Sequence, residues 1–135
     1  MPDFRGPCLR EEYSPRALSA AELLRWQWSG YARYHRAPVN LLIHVLTWPF
    51  FVAGNALALT CLARGRVVLA AGAFAVMGTA FALQGLGHRG ERTPPEPFTG
   101  PGNALGRIFF EQWITFPRFL LSGAWFRAFQ DSDGK

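Results

Sequence analysis

The chain has 135 residues, of which 50% are hydrophobic, 15% aromatic and 17% charged, with a formal charge of +5. That length holds one domain, and the composition excludes a disordered chain, a collagen-like chain and a disulfide-stapled miniprotein. The charges are unevenly placed. Ala37 to Ala63 (27 residues) and Val67 to Gly87 (21 residues) contain no Asp, Glu, Lys or Arg, so all 23 charged residues fall in the other 87.

Residues 1–18, with Pro2, Pro7 and Pro15, read as an irregular tail. They include Asp3, Glu11 and Glu12 and have no apolar core, so no cleavable signal peptide is expected. A single helical membrane domain is expected over 19–129, followed by a polar tail over 130–135. Ser19 and Glu22 have the spacing of a capping box, which satisfies free amides at a helix start. The helix they open should run to about Arg36, with Leu24, Trp28, Tyr31 and His35 as one stripe. Pro38 either ends that helix or begins the next, because proline suits a first helical turn and not an interior.

Two spans are expected after it, at about 41–63 and 67–87. Crossing the hydrocarbon core takes about 20 predominantly apolar residues, and both stretches meet that length. Only Arg64, Gly65 and Arg66 separate them, which forces an antiparallel hairpin. The alternative is a pair of buried helices in a soluble bundle, but so short a chain seldom hides two helices apolar on every face. Thr93 to Gly102 contains four prolines and must be a loop. From Asn103 the pattern is amphipathic: Leu105, Ile108, Phe109, Gln112, Trp113 and Phe116 share a face, and Arg107 and Glu111 pair at i,i+4 on another. Pro117 breaks this helix, and Phe119 to Phe129 continues it in a segment too short to span. These read as interfacial helices. The expected fold is therefore all-α: an integral membrane hairpin of two spans, an N-terminal amphipathic helix and C-terminal interfacial helices.

The positive charge comes from 13 Arg and one Lys that flank the apolar runs instead of forming a block, so no nucleic-acid partner is expected. Arg25, Arg33 and Arg36 precede the hairpin and Arg89, Arg92 and Arg107 come after it, against Arg64 and Arg66 at the turn. The positive-inside rule puts both termini in the cytoplasm, with a bacterial inner membrane favoured over endoplasmic reticulum. Cys8 in the tail and Cys61 in the first span are not expected to form a disulfide.

The three histidines carry the functional reading. His35 ends the first helix, His44 lies near the start of the first span and His88 comes directly after the second, so an antiparallel hairpin brings all three to one membrane face. Each has a polar residue at i−4, namely Tyr31, Asn40 and Gln84, and Glu91 lies three beyond His88. An imidazole ligand needs its second nitrogen held by a partner, which such neighbours can supply. Histidines with a carboxylate and open positions are the usual set for non-haem iron(II), and zinc accepts the same donors. Two other readings stay open: a scaffold whose histidines bond between helices, and a bis-histidine haem protein.

The residues Tyr34-His35, Pro38, Asn40 and His44, with Gln84-x-x-Gly87-His88 further along, form a paired pattern. It resembles that of the membrane family typified by the fungal 2-hydroxy fatty acid dioxygenase of phytosphingosine degradation, over roughly residues 25 to 92, and looks closer to a bacterial branch. The resemblance implies an integral membrane, iron(II)-dependent enzyme that uses O2 to shorten a 2-hydroxy fatty acid by one carbon. It implies that His35, His44 and His88 are metal-binding or catalytic. Glu91 would complete the metal sphere, although the family commonly places its glutamate four residues after the last histidine and here the spacing is three. Arg33, Arg36 or Arg89 would pair with the substrate carboxylate.

Overall fold

A computed structural model describes residues 18–133. Among them every regular element is helical: α1 (Ala20–Tyr31), α2 (Pro38–Ala63), α3 (Val67–Gly87), α4 (Pro101–Phe110), α5 (Phe116–Leu121) and α6 (Ala124–Asp133). Two turns of other helical types interrupt this order. A 3₁₀ turn, His88–Gly90, ends α3, and a π turn, Glu111–Thr115, joins α4 to α5. The expected tail, with Cys8, lies outside the described residues except for Leu18.

The Ser19 capping box forms as expected: the Ser19 hydroxyl accepts from the Glu22 amide at 3.3 Å and Glu22 accepts from the Ser19 amide at 2.9 Å. The helix it opens stops at Tyr31, five residues short of the expected Arg36. Its buried edge is Leu23, Gln27 and Tyr31, with Leu24 and Trp28 half-buried beside it. His35 therefore sits in the connection, not on α1. Pro38 occupies the first turn of α2, where its missing amide costs nothing.

The chain contains two helices long and apolar enough to cross a membrane, α2 and α3. They pack side by side and run antiparallel, with Thr47 against Gln84, Phe51 against Phe81, and Asn55 against Met77. The turn between them ends α2 in a Schellman motif: the Arg66 amide donates to the Cys61 carbonyl and the Gly65 amide to Leu62. Gly65 takes φ +68, which a side chain would strain. Cys61 is a buried free thiol.

Of the expected amphipathic face, Gln112 and Phe116 are buried, together with Thr115 and Phe119, whereas Leu105, Phe109 and Trp113 are exposed. The π turn follows α4, so that the Phe116 amide donates to Glu111, five residues back. Pro117, which lacks an amide and whose ring would meet the carbonyl four residues earlier, is accommodated just after that widening. α6 extends to Asp133, into the stretch expected as a polar tail. Its Trp125 donates to the Leu41 carbonyl at 3.0 Å, and Tyr31, Leu41, Phe116, Phe119 and Trp125 form the core at the histidine end of the α2–α3 pair.

Candidate metal centre

His35, His44 and His88 meet as expected. Their ring centroids lie 4.8 Å apart for His35–His44 and His35–His88 and 5.0 Å apart for His44–His88. His35 and His44 are almost fully buried, at 2% and 1% exposure. The fourth member is Glu111, from the π turn. One ligand atom from each of these four residues lies within 4.8 Å of the others.

Backbone carbonyls fix the imidazoles. His35 Nδ1 lies 2.9 Å from the Tyr31 carbonyl and His44 Nδ1 lies 3.1 Å from the Asn40 carbonyl. A carbonyl only accepts, so each Nδ1 carries the proton and each Nε2 presents a lone pair. His88 Nδ1 lies 3.4 Å from Asn40 Nδ2. Tyr31 and Asn40 thus fix His35 and His44 through their main chain, and the side chains of Tyr31, Asn40 and Gln84 make further contacts. Tyr31 stacks on His35 at 3.9 Å and donates its hydroxyl to Glu111 Oε1 at 3.2 Å. Gln84 donates to Thr47 at 3.2 Å and accepts from Gln112 at 2.6 Å, tying α3 to α2 and to the π turn. Asn40 Nδ2 donates to Glu91 at 2.7 Å and lies 3.3 Å from the Tyr34 carbonyl.

Glu91 was expected in the metal sphere, and its carboxylate is elsewhere. It accepts from the Arg36 and Ala37 amides at 2.9–3.1 Å as well as from Asn40. Glu111 takes the place expected of it. The spacing Arg107–Glu111 read as an ion pair on one helix face, but the Glu111 carboxylate turns to the histidines, and Arg107 stacks on Trp26 at 5.0 Å and on Phe98 at 4.6 Å. The signal that pointed to Glu111 was its position: a carboxylate inside the aromatic stretch Ile108 to Trp113 is costly to bury without a partner.

Glu111 Oε1 lies 3.6 Å from His35 Nε2 and 3.8 Å from His44 Nε2. Burial raises its pKa, and positive charge at the His35 and His44 rings is what holds the carboxyl well below its ordinary range; with lone pairs facing it, a cation has to supply that charge. Burial first, and then the Glu111 charge, push the Tyr31 phenol up. With both Nδ1 protons committed to carbonyls, two imidazole lone pairs face a carboxylate oxygen, three acceptors directed at one point. His35 Nε2 has no hydrogen-bond partner. A shared cation satisfies all of them together. Metal–ligand bonds of about 2.0–2.2 Å place tetrahedral donors roughly 3.3–3.6 Å apart, so donors within 4.8 Å of one another draw in by about an ångström at most round an ion. The donors fit a metal ion. The ring centroids, 4.8–5.0 Å apart, lie closer than those of two imidazoles on opposite faces of one haem iron.

A pocket of about 310 Å³ borders the cluster at His35, His88 and Glu111 and is otherwise lined by residues of α1, the α1–α2 connection, the proline-rich loop and α4. Of the three arginines expected at a substrate carboxylate, Arg33 lines this pocket, whereas Arg36 and Arg89 are exposed and do not. Arg107 lines it too, donating to the Pro97 carbonyl at 3.1 Å. Together these features describe an all-helical protein with two membrane-length helices and a histidine–glutamate group at one end of the pair that could hold a metal ion. No family model, curated protein or solved structure matches the chain.

Proposed function

We propose that the chain is a membrane-embedded non-haem iron(II) oxygenase that acts on a long-chain 2-hydroxy fatty acid or a related lipid acid. The observation that carries this reading is the convergence of three imidazoles and one carboxylate, acceptor to acceptor, beside an open pocket. Iron and the substrate class come from the motif resemblance, since zinc takes the same donors.

The membrane part of the reading rests on exposure. Only 22% of the most apolar window of each long helix is buried, whereas the core helix of a soluble protein is mostly buried. Leu46, Phe50, Leu59 and Val68 are 60–85% exposed, an apolar surface that lipid would cover. Arg33, Arg36, Arg89 and Arg92 at the histidine end outnumber Arg64 and Arg66 at the turn, which favours a cytoplasmic metal end and cytoplasmic termini.

Iron(II) bound to His35, His44, His88 and Glu111 would supply Lewis-acid binding of a hydroxy acid and activation of O2. The chain's own contribution is positional. The Tyr31 and Asn40 carbonyls hold the imidazole tautomers, the Tyr31 hydroxyl holds a proton at Glu111 Oε1, and Phe116 and Phe119 exclude water from the inner side of the cluster. The pocket receives the polar head of the lipid, with Arg33 at its wall for the carboxylate, while the acyl chain remains in the bilayer.

The test is purification in detergent, metal analysis, and oxygen uptake with a long-chain 2-hydroxy fatty acid, comparing wild type with His44→Ala. We expect about one iron per chain and substrate-dependent uptake, both lost in the variant. A metal-free wild type, or one that takes up no oxygen with this substrate, overturns the proposal.

A further inference from the structure

α2 begins without any cap of its own. Ala37 at its N-cap has no side-chain acceptor, and no acidic residue lies in its first turn, so a 26-residue helix starts with unsatisfied amides and an uncompensated dipole. The missing cap comes from just beyond the end of α3, which lies beside the start of α2. The 3₁₀ turn after α3 folds the chain so that the Glu91 amide donates to the His88 carbonyl at 3.1 Å, and the Glu91 carboxylate then meets the Arg36 and Ala37 amides at 2.9–3.1 Å and Asn40 Nδ2 at 2.7 Å. Arg36, Ala37 and Asn40 all lie between His35 and His44 in sequence, and Glu91 itself lies three residues after His88. One carboxylate therefore ties together the backbone segments that carry all three imidazoles.

We infer that Glu91 is a positioning residue for the metal centre: by capping α2 from outside, it sets the relative placement of His35, His44 and His88 without touching the metal. The inference rests on the metal-centre reading above. Both Glu91 oxygens accept from N–H donors, and the carboxylate is not among the four residues that converge. Removing the cap releases the start of α2 against the end of α3, and the imidazoles lose their mutual geometry while each helix remains formed. Residues that orient a metal's ligands typically contribute roughly 10–100-fold in affinity.

The experiment titrates detergent-purified, metal-free full chain with cobalt(II), following its ligand-field absorption for affinity and geometry, with far-UV circular dichroism as the check on helix content. Glu91→Ala should lower cobalt affinity roughly 10–100-fold and alter the spectrum at wild-type helicity. Glu91→Gln keeps an acceptor oxygen and loses the charge, so it should fall between the two. Glu22→Ala removes the α1 cap, a comparable helix-end loss remote from the cluster, and should leave affinity and spectrum unchanged. Unchanged affinity and spectrum in Glu91→Gln overturns the inference, whether or not Glu91→Ala folds. An equal loss in Glu22→Ala also overturns it, since the effect would then be general to helix ends. A wild type that binds no cobalt overturns the metal-centre reading and the inference with it, a result distinct from either of these.

Discussion

Gly87→Ala places one methyl group where the structure has room for none. A Cβ at position 87 would lie 2.5 Å from Asn40 Oδ1 and 3.4 Å from Asn40 Cα and Cγ. The oxygen contact is about 1 Å inside ordinary van der Waals separation. An exposed amide would swing away at little cost, but Asn40 is fully buried and its Nδ2 is engaged by Glu91 at 2.7 Å. Relief therefore means losing a charge-assisted hydrogen bond, about 1.5–3 kcal/mol. Against this, alanine is favoured over glycine in a helix by about 0.5–1 kcal/mol. The expected net loss is about 1–2 kcal/mol.

Asn40→Ala separates this cause from a general intolerance at position 87. It removes the clashing oxygen together with the bond to Glu91, so Gly87→Ala made in the Asn40→Ala background should cost nothing and recover the helix-propensity gain. The cycle then shows a coupling energy of about 1–3 kcal/mol. The assay is equilibrium unfolding in mixed micelles, monitored by far-UV circular dichroism for the two single variants and the double. Additivity within about 0.5 kcal/mol would refute the contact as the source of the cost.

Glu111→Gln removes the converging charge while keeping the shape of the side chain, so metal affinity should fall at least about tenfold, with the fold retained; wild-type affinity in a metal titration would refute Glu111 as a donor. Metal binding should weaken on acidification, because a ligand imidazole must be neutral to coordinate. Glu111 does not contribute to that loss: its folded-state pKa lies below the ordinary 4.5, so its contribution to stability is complete above pH 4.5 and fades only as pH falls through the lower folded value. Metal affinity that does not change on acidification would refute histidine ligation. Phe50→Arg, at the middle of α2 where the ring is 61% exposed, separates membrane from water. A soluble surface absorbs this change within about 0.5 kcal/mol, whereas insertion costs about 2.5–3.5 kcal/mol at a span centre, so the variant should be depleted from the carbonate-resistant membrane fraction.

The parts of the fold written in single-residue chemistry could be read from the sequence. The uncharged runs match α2 and α3 to within three residues, the Ser19 and Glu22 spacing marks the start of α1, and Pro38 marks the start of α2. The convergence of the histidines needs only two helices joined by three residues. What could not be read depends on departures from the α repeat. The Leu24–Trp28–Tyr31–His35 stripe continues past the actual end of α1 because the pattern is indifferent to whether His35 is helical, and what places that imidazole is its bond to the Tyr31 carbonyl. Periodicity of 3.6 groups Leu105, Phe109 and Trp113 with Gln112 and Phe116, but only the last two are buried, and it gives no sign of the π turn between α4 and α5.

The choice between the two carboxylates depends on which hydrogens are already committed. Glu91 faces N–H groups only, the Arg36 and Ala37 amides and the Asn40 amide nitrogen, so its negative charge is satisfied by protein donors and it has no need of a cation. Glu111 faces imidazole nitrogens whose partner atoms have already given their protons to carbonyls, and apart from the Tyr31 hydroxyl it meets lone pairs. A half-buried carboxylate in that company is stabilised by positive charge lying between it and the rings. Spacing from His88 favours Glu91, three residues away in sequence, whereas proton accounting favours Glu111, 23 residues away. The second criterion decides, because it counts what each oxygen meets in the folded chain.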